Sequence, residues 1–261
     1  FCGATAVPIP IRMEREFRLD VDELASLITP RTRMLVINSP ANPTGGVLTR
    51  GDLERIAELA IEHDLWVLAD EIYGRILYDG AEHVSIASLP GMAERTIVLD
   101  GFSKTFAMTG WRLGYAIVPA PLVSIYSQLI INTISGVATF AQVGAVEALV
   151  GPQDDVEAMV VEFKARRDLI VDGLNAIPGI ECRRPSGAFY VFPNISGTGL
   201  SGGEIAERLL KEVGVCVLPG SAFGVFGDEN IRISYANSQA NLTEALGRIR
   251  TLVEPLVSAR V

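Results

Sequence analysis

Asp100-Gly101-Phe102-Ser103-Lys104-Thr105-Phe106-Ala107-Met108-Thr109-Gly110-Trp111-Arg112-Leu113-Gly114 follows directly on a short apolar run, Thr96 to Leu99. A short apolar run closed by turn residues predicts a buried strand that empties into a loop. Lys104 opens that loop, and Arg112 stands eight residues later among small and apolar neighbours. A desolvated lysine is the side chain that forms Schiff bases with aldehydes, and an arginine suits a fixed phosphate. Together they point to a lysine that holds pyridoxal 5'-phosphate. A Ser-Lys dipeptide alone is more often a solvated surface feature, so the reading depends on what the rest of the chain sets beside it.

Two upstream segments supply that company. Met34-Leu35-Val36-Ile37-Asn38-Ser39-Pro40-Ala41-Asn42-Pro43-Thr44-Gly45-Gly46 is an apolar strand running into a loop rich in Asn, Pro and Gly. Leu65-Trp66-Val67-Leu68-Ala69-Asp70-Glu71-Ile72-Tyr73 is a second buried-type strand with an acid at its end. In open α/β sheets, ligands bind outside the carboxyl ends of the strands. Asn42, Asp70 and Lys104 all fall at or just past such ends.

The residue types fit one chemistry. A pyridine ring withdraws electrons best when its nitrogen is protonated, and a carboxylate such as Asp70 holds that proton. Tyr73 and Asn42 can hydrogen-bond the ring's phenolic oxygen. Lys104 supplies the amine, and once released by substrate it can carry a proton. Arg112 offers a planar fork for the phosphate. Taken singly, each has a plainer reading. Asp70 could be a capping acid, Tyr73 a half-buried aromatic, Asn42 an Asx-turn residue beside Pro43, and Arg112 a surface ion-pair partner. The set carries the argument.

These segments resemble the class I/II pyridoxal-phosphate aminotransferases, the aspartate-aminotransferase-like group of fold type I. The matching stretches are Asn38 to Gly45, Ala69 to Tyr73, Phe102 to Gly114, and Asn230-Ile231-Arg232-Ile233-Ser234-Tyr235-Ala236. The resemblance implies Lys104 as the Schiff-base lysine, Asp70 at the pyridine nitrogen, Tyr73 and Asn42 at the phenolic oxygen, and Arg112 at the phosphate. It implies that Arg232 grips the substrate α-carboxylate, a bidentate task suited to guanidinium. Many relatives carry a phosphate-binding serine three residues before the lysine. That position is Gly101 here, which leaves Ser103 as the substitute candidate. The resemblance also implies cis bonds at Ser39-Pro40 and Asn42-Pro43, and a homodimer whose active sites are each completed by the neighbouring chain.

The resemblance implies amino transfer between an amino acid and a 2-oxo acid. Other fold type I chemistry, such as a C–S lyase or β-elimination step, would draw on the same residues. A ligand-sensing domain of a transcription regulator is a reading from a different class, and it would need a DNA-binding module upstream. Phe1 to Pro10 reads as a strand already inside a domain. By the resemblance it follows a missing arm, glycine-rich phosphate loop and ring-stacking aromatic, so the sequence as given is expected to be N-terminally incomplete and, by itself, to bind the cofactor weakly and turn over negligibly.

Composition agrees with a globular protein. The chain has 261 residues, 49% of them hydrophobic and 20% charged, enough for a substantial core. A net charge of -9 argues against a nucleic-acid surface, which needs a basic patch. The longest basic cluster, Lys164-Ala165-Arg166-Arg167, lies in a helical pattern and reads as solvated. Cys2, Cys182 and Cys216 form no disulfide framework, so a reducing cytoplasm is the plain inference. With His63 and His83 as the only histidines, a metal site or His-based triad has little material. No apolar run approaches a membrane span.

Strands alternate with amphipathic helices, the pattern of an α/β fold with a mainly parallel sheet. Thr49 to Glu62 reads as a helix capped by Thr49 with Asp52. Pro119 to Val150 reads as helical with a break near Ser135-Gly136, its apolar faces destined for the core. Gly151-Pro152 marks a boundary, giving a cofactor-binding large domain over 1–150 and a smaller C-terminal α+β domain over 151–261. In the second part, Val156 to Ile177 reads as a helix with Glu162, Lys164, Arg166, Arg167 and Asp168 on its wet side. Strands are expected over 187–192, 214–218 and 230–235, and a final helix from Ala240 towards Ser258.

Overall fold

The computed structural model describes residues 3–259, and Phe1 and Cys2 of the N-terminal stretch lie outside them. The chain forms two compact units. One consists of Leu19–Pro40 and Val47–Ala158; the other gathers the stretch ending at Arg18, Ala41–Gly46 and the chain from Met159 onward.

The first unit is built on a sheet. Helix α1 (Val21–Leu27) starts at Asp20, whose carboxylate accepts the N–H groups of Asp22 and Glu23. Strand β1 (Met34–Asn38), helix α2 (Arg50–Glu62), and strands β2 (Trp66–Asp70), β3 (Thr96–Gly101) and β4 (Gly114–Ile117) follow. The strands lie in the order β1-β2-β3-β4, the first three parallel and β4 antiparallel. Val67, Ala69, Ile97 and Val98 are buried, as expected of central strands covered on both sides. At the β1 edge Leu35 is buried while Val36 is 68% exposed.

Thr49 caps α2 as its sequence predicts. Its hydroxyl accepts the Asp52 N–H, and the Asp52 carboxylate accepts the Thr49 N–H at 2.9 Å. Such reciprocal caps stabilise a helix by about 1 kcal/mol. The buried residues Leu53, Ile56, Ala57 and Ala60 fall at helical spacing on one face.

Helices α3 (Val123–Ile134) and α4 (Thr139–Val150) flank the expected break, where Ser135 takes a φ of 65°. Their apolar faces are not core. No α3 residue is buried, only Ala141 and Ala145 of α4 are, and Ile131, Ile134, Phe140 and Val143 stand exposed. Helical periodicity reports that a face is apolar, not that an element of this chain covers it.

Helix α5 (Asp154–Asn175) begins in the sheet unit and continues into the second. There Arg167 is 1% exposed, which corrects its reading as a solvated charge. Its guanidinium donates to the Asp168 carboxylate and, through Nη1, to the Pro185 carbonyl at 3.1 Å. A buried cation is tolerated when its donors are satisfied this way. Strand β5 (Tyr190–Val191), helix α6 (Gly202–Val213), strands β6 (Leu218–Pro219) and β7 (Ile231–Ser234), and helix α7 (Gln239–Ser258) complete the unit. The sheet runs β5-β7-β6 and is antiparallel throughout.

Two strands are shorter than the sequence implies. Ala188 sits at φ 59°, outside the extended region, and at the start of the other Gly214 takes a left-handed φ of 68° as the α6 C-cap while the Val215 N–H is held by the Leu209 carbonyl, so pairing begins only at Leu218. Residues 3–12 likewise form no strand; Pro8 and Pro10 interrupt any ladder there. A single cut after residue 150 does not describe the division. Ala41–Gly46 joins the second unit, where the Gly45 carbonyl accepts the N–H groups of Ser186 and Gly187. Among the described residues no helix is long and apolar enough to cross a membrane, and no cluster of three His, Cys, Asp or Glu could hold a metal.

Candidate functional site

In the sheet unit the parallel strands end in register: Asn38 pairs with Asp70, and Asp70 with Leu99. The Asp70 carbonyl accepts from Asn38 Nδ2 at 3.0 Å and from the Ser39 N–H at 3.2 Å, which pins the end of β2 against β1. The half-buried Asp70 carboxylate accepts one hydrogen bond, from the Ile72 N–H to Oδ1 at 3.2 Å. Among the described residues, Oδ2 accepts none.

The neighbouring acid is differently placed. Glu71 Oε2 lies 2.9 Å from His83 Nε2, and Oε1 accepts the Ser85 hydroxyl at 2.8 Å. Glu71 thereby ties the loop after β2 to the segment around His83. The sequence marked only Asp70, although two adjacent acids closing one strand were the available signal. On the next strand Asp100 accepts the Gly101 N–H at 2.6 Å and the Tyr115 hydroxyl at 2.8 Å. Burial pushes the Asp100 carboxyl above its usual range, against the pull of those two donors. Burial, then the bond to Asp100, pushes Tyr115 up to about 12.

Lys104 lies in the turn after β3, and Tyr73 in the turn after β2. The Lys104 ammonium stands 5.9 Å from the Tyr73 ring centroid, and Tyr73 is 3% exposed. The turn is closed by Ala107 N–H to the Lys104 carbonyl and Met108 N–H to the Phe102 carbonyl, each at 3.2 Å, with Ala107 at φ 52°. Ser103 is half-buried and its hydroxyl has no hydrogen-bond partner among the described residues. Arg112 also takes a left-handed φ, 51°, at the end of a 3-10 turn over Thr109–Trp111. Its side chain is exposed, with Nη1 donating to the Thr109 carbonyl at 2.9 Å and no carboxylate partner among the described residues.

The second unit brings together the other pair. Arg232, on β7, donates from Nη1 to Asn42 Oδ1 at 2.9 Å. Asn42 is held by a tight turn in which Gly45 N–H meets the Ala41 carbonyl at 2.8 Å and Ala41 N–H meets the Gly46 carbonyl at 2.9 Å. Gly45 has φ 69°, and a Cβ there would lie 2.4 Å from Pro185 Cβ, so only glycine fits. Both Ser39-Pro40 and Asn42-Pro43 are cis. Tyr190 and Phe223 both lie against the Arg232 guanidinium, at 4.6 and 4.8 Å from ring centroid to Cζ.

Comparison with known proteins shows the family. The sequence model of the family described as "Aminotransferase class I and II" matches residues 1–249. The chain is 48% identical over 254 residues to aromatic-amino-acid aminotransferase 2 of Thermococcus litoralis, covering 97% of this chain and 65% of that protein. It is 46% identical over 248 residues to an arginine–pyruvate transaminase of Pseudomonas aeruginosa, covering 95% and 63%. The crystal structure of the aromatic aminotransferase from Pyrococcus horikoshii superposes with a TM-score of 0.93 at 47% identity, over 95% of this chain and 67% of that one. The chain thus spans about 65% of the length of the relatives it matches.

Proposed function

We propose, for a chain that belongs to the aminotransferases of class I and II, that the protein moves an amino group between an amino acid and a 2-oxo acid with pyridoxal 5'-phosphate held on Lys104. The observation that carries this reading is the placement of Asp70, Tyr73 and Lys104 at or just past the carboxyl ends of adjacent parallel strands, with Asp70 Oδ2 accepting no hydrogen bond among the described residues. The donor set suits that cofactor: a lysine amine for its aldehyde, a carboxylate for its ring nitrogen, and for its phosphate an arginine that has no acid partner among the described residues. When bound, the cofactor supplies a sink for the electron pair left as the substrate loses its α-proton.

The chain's own residues do the rest. Asp70 Oδ2 holds a proton on the ring nitrogen and keeps that sink strong. The Tyr73 hydroxyl would donate to the ring oxygen, a role the family resemblance also gives to Asn42, and Arg112, with Ser103, would bind the phosphate. Arg232 takes the substrate carboxylate, and its bond to Asn42 fixes the direction of the guanidinium. The Lys104 amine, once free, takes the α-proton and returns one, as a general base and then a general acid.

The relatives' names differ in the donor, aromatic in one and arginine in another, while amino transfer is common to them. The reading includes a homodimer, supported by the exposed apolar faces of α3 and α4. It places the protein in the cytoplasm, in keeping with the free thiols of Cys182 and Cys216. The test is to load the purified protein with the cofactor and assay L-phenylalanine, L-aspartate, L-glutamate and L-arginine against 2-oxoglutarate and pyruvate. Turnover with at least one pair is expected. Cofactor-loaded protein inert with every pair would overturn the reading.

A further inference from the structure

We propose that Tyr190 and Phe223 are positioning residues that hold the Arg232 guanidinium ready for an incoming carboxylate; this rests on the reading of Arg232 as the carboxylate grip. The two rings come from opposite sides of one strand. Tyr190 is on β5, paired with Ser234 of β7, so it is the diagonal neighbour of Arg232 on the same face. Phe223 lies in the 3-10 turn Gly220–Phe223 just past β6, whose Leu218 pairs directly with Arg232. β7 runs between β5 and β6, so the guanidinium is flanked from both neighbouring elements. The buried Ile231 and Ile233 fix the alternation that turns Arg232 to the other face.

The partners account for part of the guanidinium only. Asn42 occupies Nη1, the rings lie at cation–π distance, and among the described residues no carboxylate pairs with Arg232. A half-buried arginine without an acid is set for an anion from outside. The rings exclude water beside the charge, so a carboxylate meets donors that are already partly desolvated. They also restrict a side chain that otherwise keeps several rotors, reducing the entropy lost when substrate binds. Two further contacts hold the rings: Phe223 meets Phe192 edge-on at 6.2 Å, and Tyr190 packs on Phe189 at 4.8 Å. The Gly220 position is part of the device, because a Cβ there would lie 2.1 Å from the Gly227 carbonyl and 2.9 Å from Phe192.

The experiment is steady-state kinetics of the cofactor-loaded protein with L-aspartate or L-phenylalanine as donor, whichever is turned over faster, and 2-oxoglutarate as acceptor, in wild type, Phe223→Leu, Phe223→Tyr, Tyr190→Leu, Tyr190→Phe and Arg232→Lys. Phe223 is at the surface, so Phe223→Leu is the decisive variant should Tyr190→Leu fail to fold. Each leucine variant is expected to raise KM for both substrates about 3- to 30-fold, the worth of one cation–π contact, with kcat within about twofold. Phe223→Tyr and Tyr190→Phe, which keep a ring, are expected to retain wild-type KM. Leucine variants with unchanged KM, beside an Arg232→Lys variant whose KM rises, would overturn the role of the rings alone. A kcat loss that equals or exceeds the KM effect would overturn it as well. An unchanged KM in Arg232→Lys would bring down the underlying reading and this proposal with it.

Discussion

Gly101 and Gly114 face each other in the β3–β4 pair so closely that a Cβ on Gly101 would stand 2.9 Å from Gly114 Cα and 3.1 Å from the Leu113 carbonyl. This explains why the position three before Lys104 carries no serine here. Gly101→Ser is expected to lose about 1–3 kcal/mol of stability through overpacking, without tightening cofactor binding. Urea unfolding and a cofactor titration check both halves; a serine variant as stable as wild type would show that β3 and β4 separate freely.

Lys104→Ala is expected to remove covalent cofactor capture. Borohydride treatment of the loaded wild type adds the cofactor's mass to the Lys104 peptide, and the variant takes up no such mass. Turnover of the variant falls by at least about 100-fold, as expected on loss of a general acid–base group. A label on another lysine in the wild type would reassign the role.

Asp70→Ala should retain the cofactor yet slow α-proton exchange, followed by loss of substrate deuterium to water. Glu71→Gln, which changes the acid tied to His83 and Ser85, is expected to have a much smaller effect on that exchange. Equal effects would mean that the two acids share one function.

Arg167→Met is expected to cost about 2 kcal/mol, from the lost charged hydrogen bond to the Pro185 carbonyl. The Asp168 carboxylate keeps Lys164 and Arg184 as partners, so no buried charge is stranded. Denaturant unfolding measures the loss, and an unchanged midpoint would show that Pro185 finds another donor.

Cys182 is buried, and burial pushes its thiol up to about 12. The thiolate is the reactive form, so at pH 8 only about one part in ten thousand is available. Iodoacetamide should label the exposed Cys216 in the folded protein and Cys182 only after unfolding, as peptide mapping would show. The raised value also means that the folded state retains this proton more strongly than the unfolded chain. The corresponding stability is full below the ordinary thiol range and is lost as pH rises towards 12.

Legibility followed the range of the forces involved. The placement of Lys104, Asp70 and Tyr73 at or just past strand ends could be read because each follows an apolar run, and strand ends are encoded locally. Thr49 and Asp52 were readable for the same reason, as a cap spans four residues. Arg167 was not, since its burial depends on a carbonyl supplied by Pro185 from a distant loop. Nor was the exposure of Ile131 and Val143, because periodicity says nothing about what lies opposite a face. That Tyr190 and Phe223 flank Arg232 was not legible either, because the rings approach through cross-strand pairing, for which the sequence carries no spacing rule.

The bond between Asn42 and Arg232 joins positions 190 residues apart. Everything needed for the four-stranded sheet has left the ribosome by Ala158, whereas Asn42 waits for β7. Synthesis therefore runs the strand ends that carry Lys104 and Asp70 well ahead of the Asn42–Arg232 bond, and contacts of such long range form slowly once both partners exist. A nascent chain stalled before Arg232 already carries every strand of the four-stranded sheet and still lacks the Asn42–Arg232 bond, so the anchoring of the Asn42 loop is among the last contacts this chain acquires.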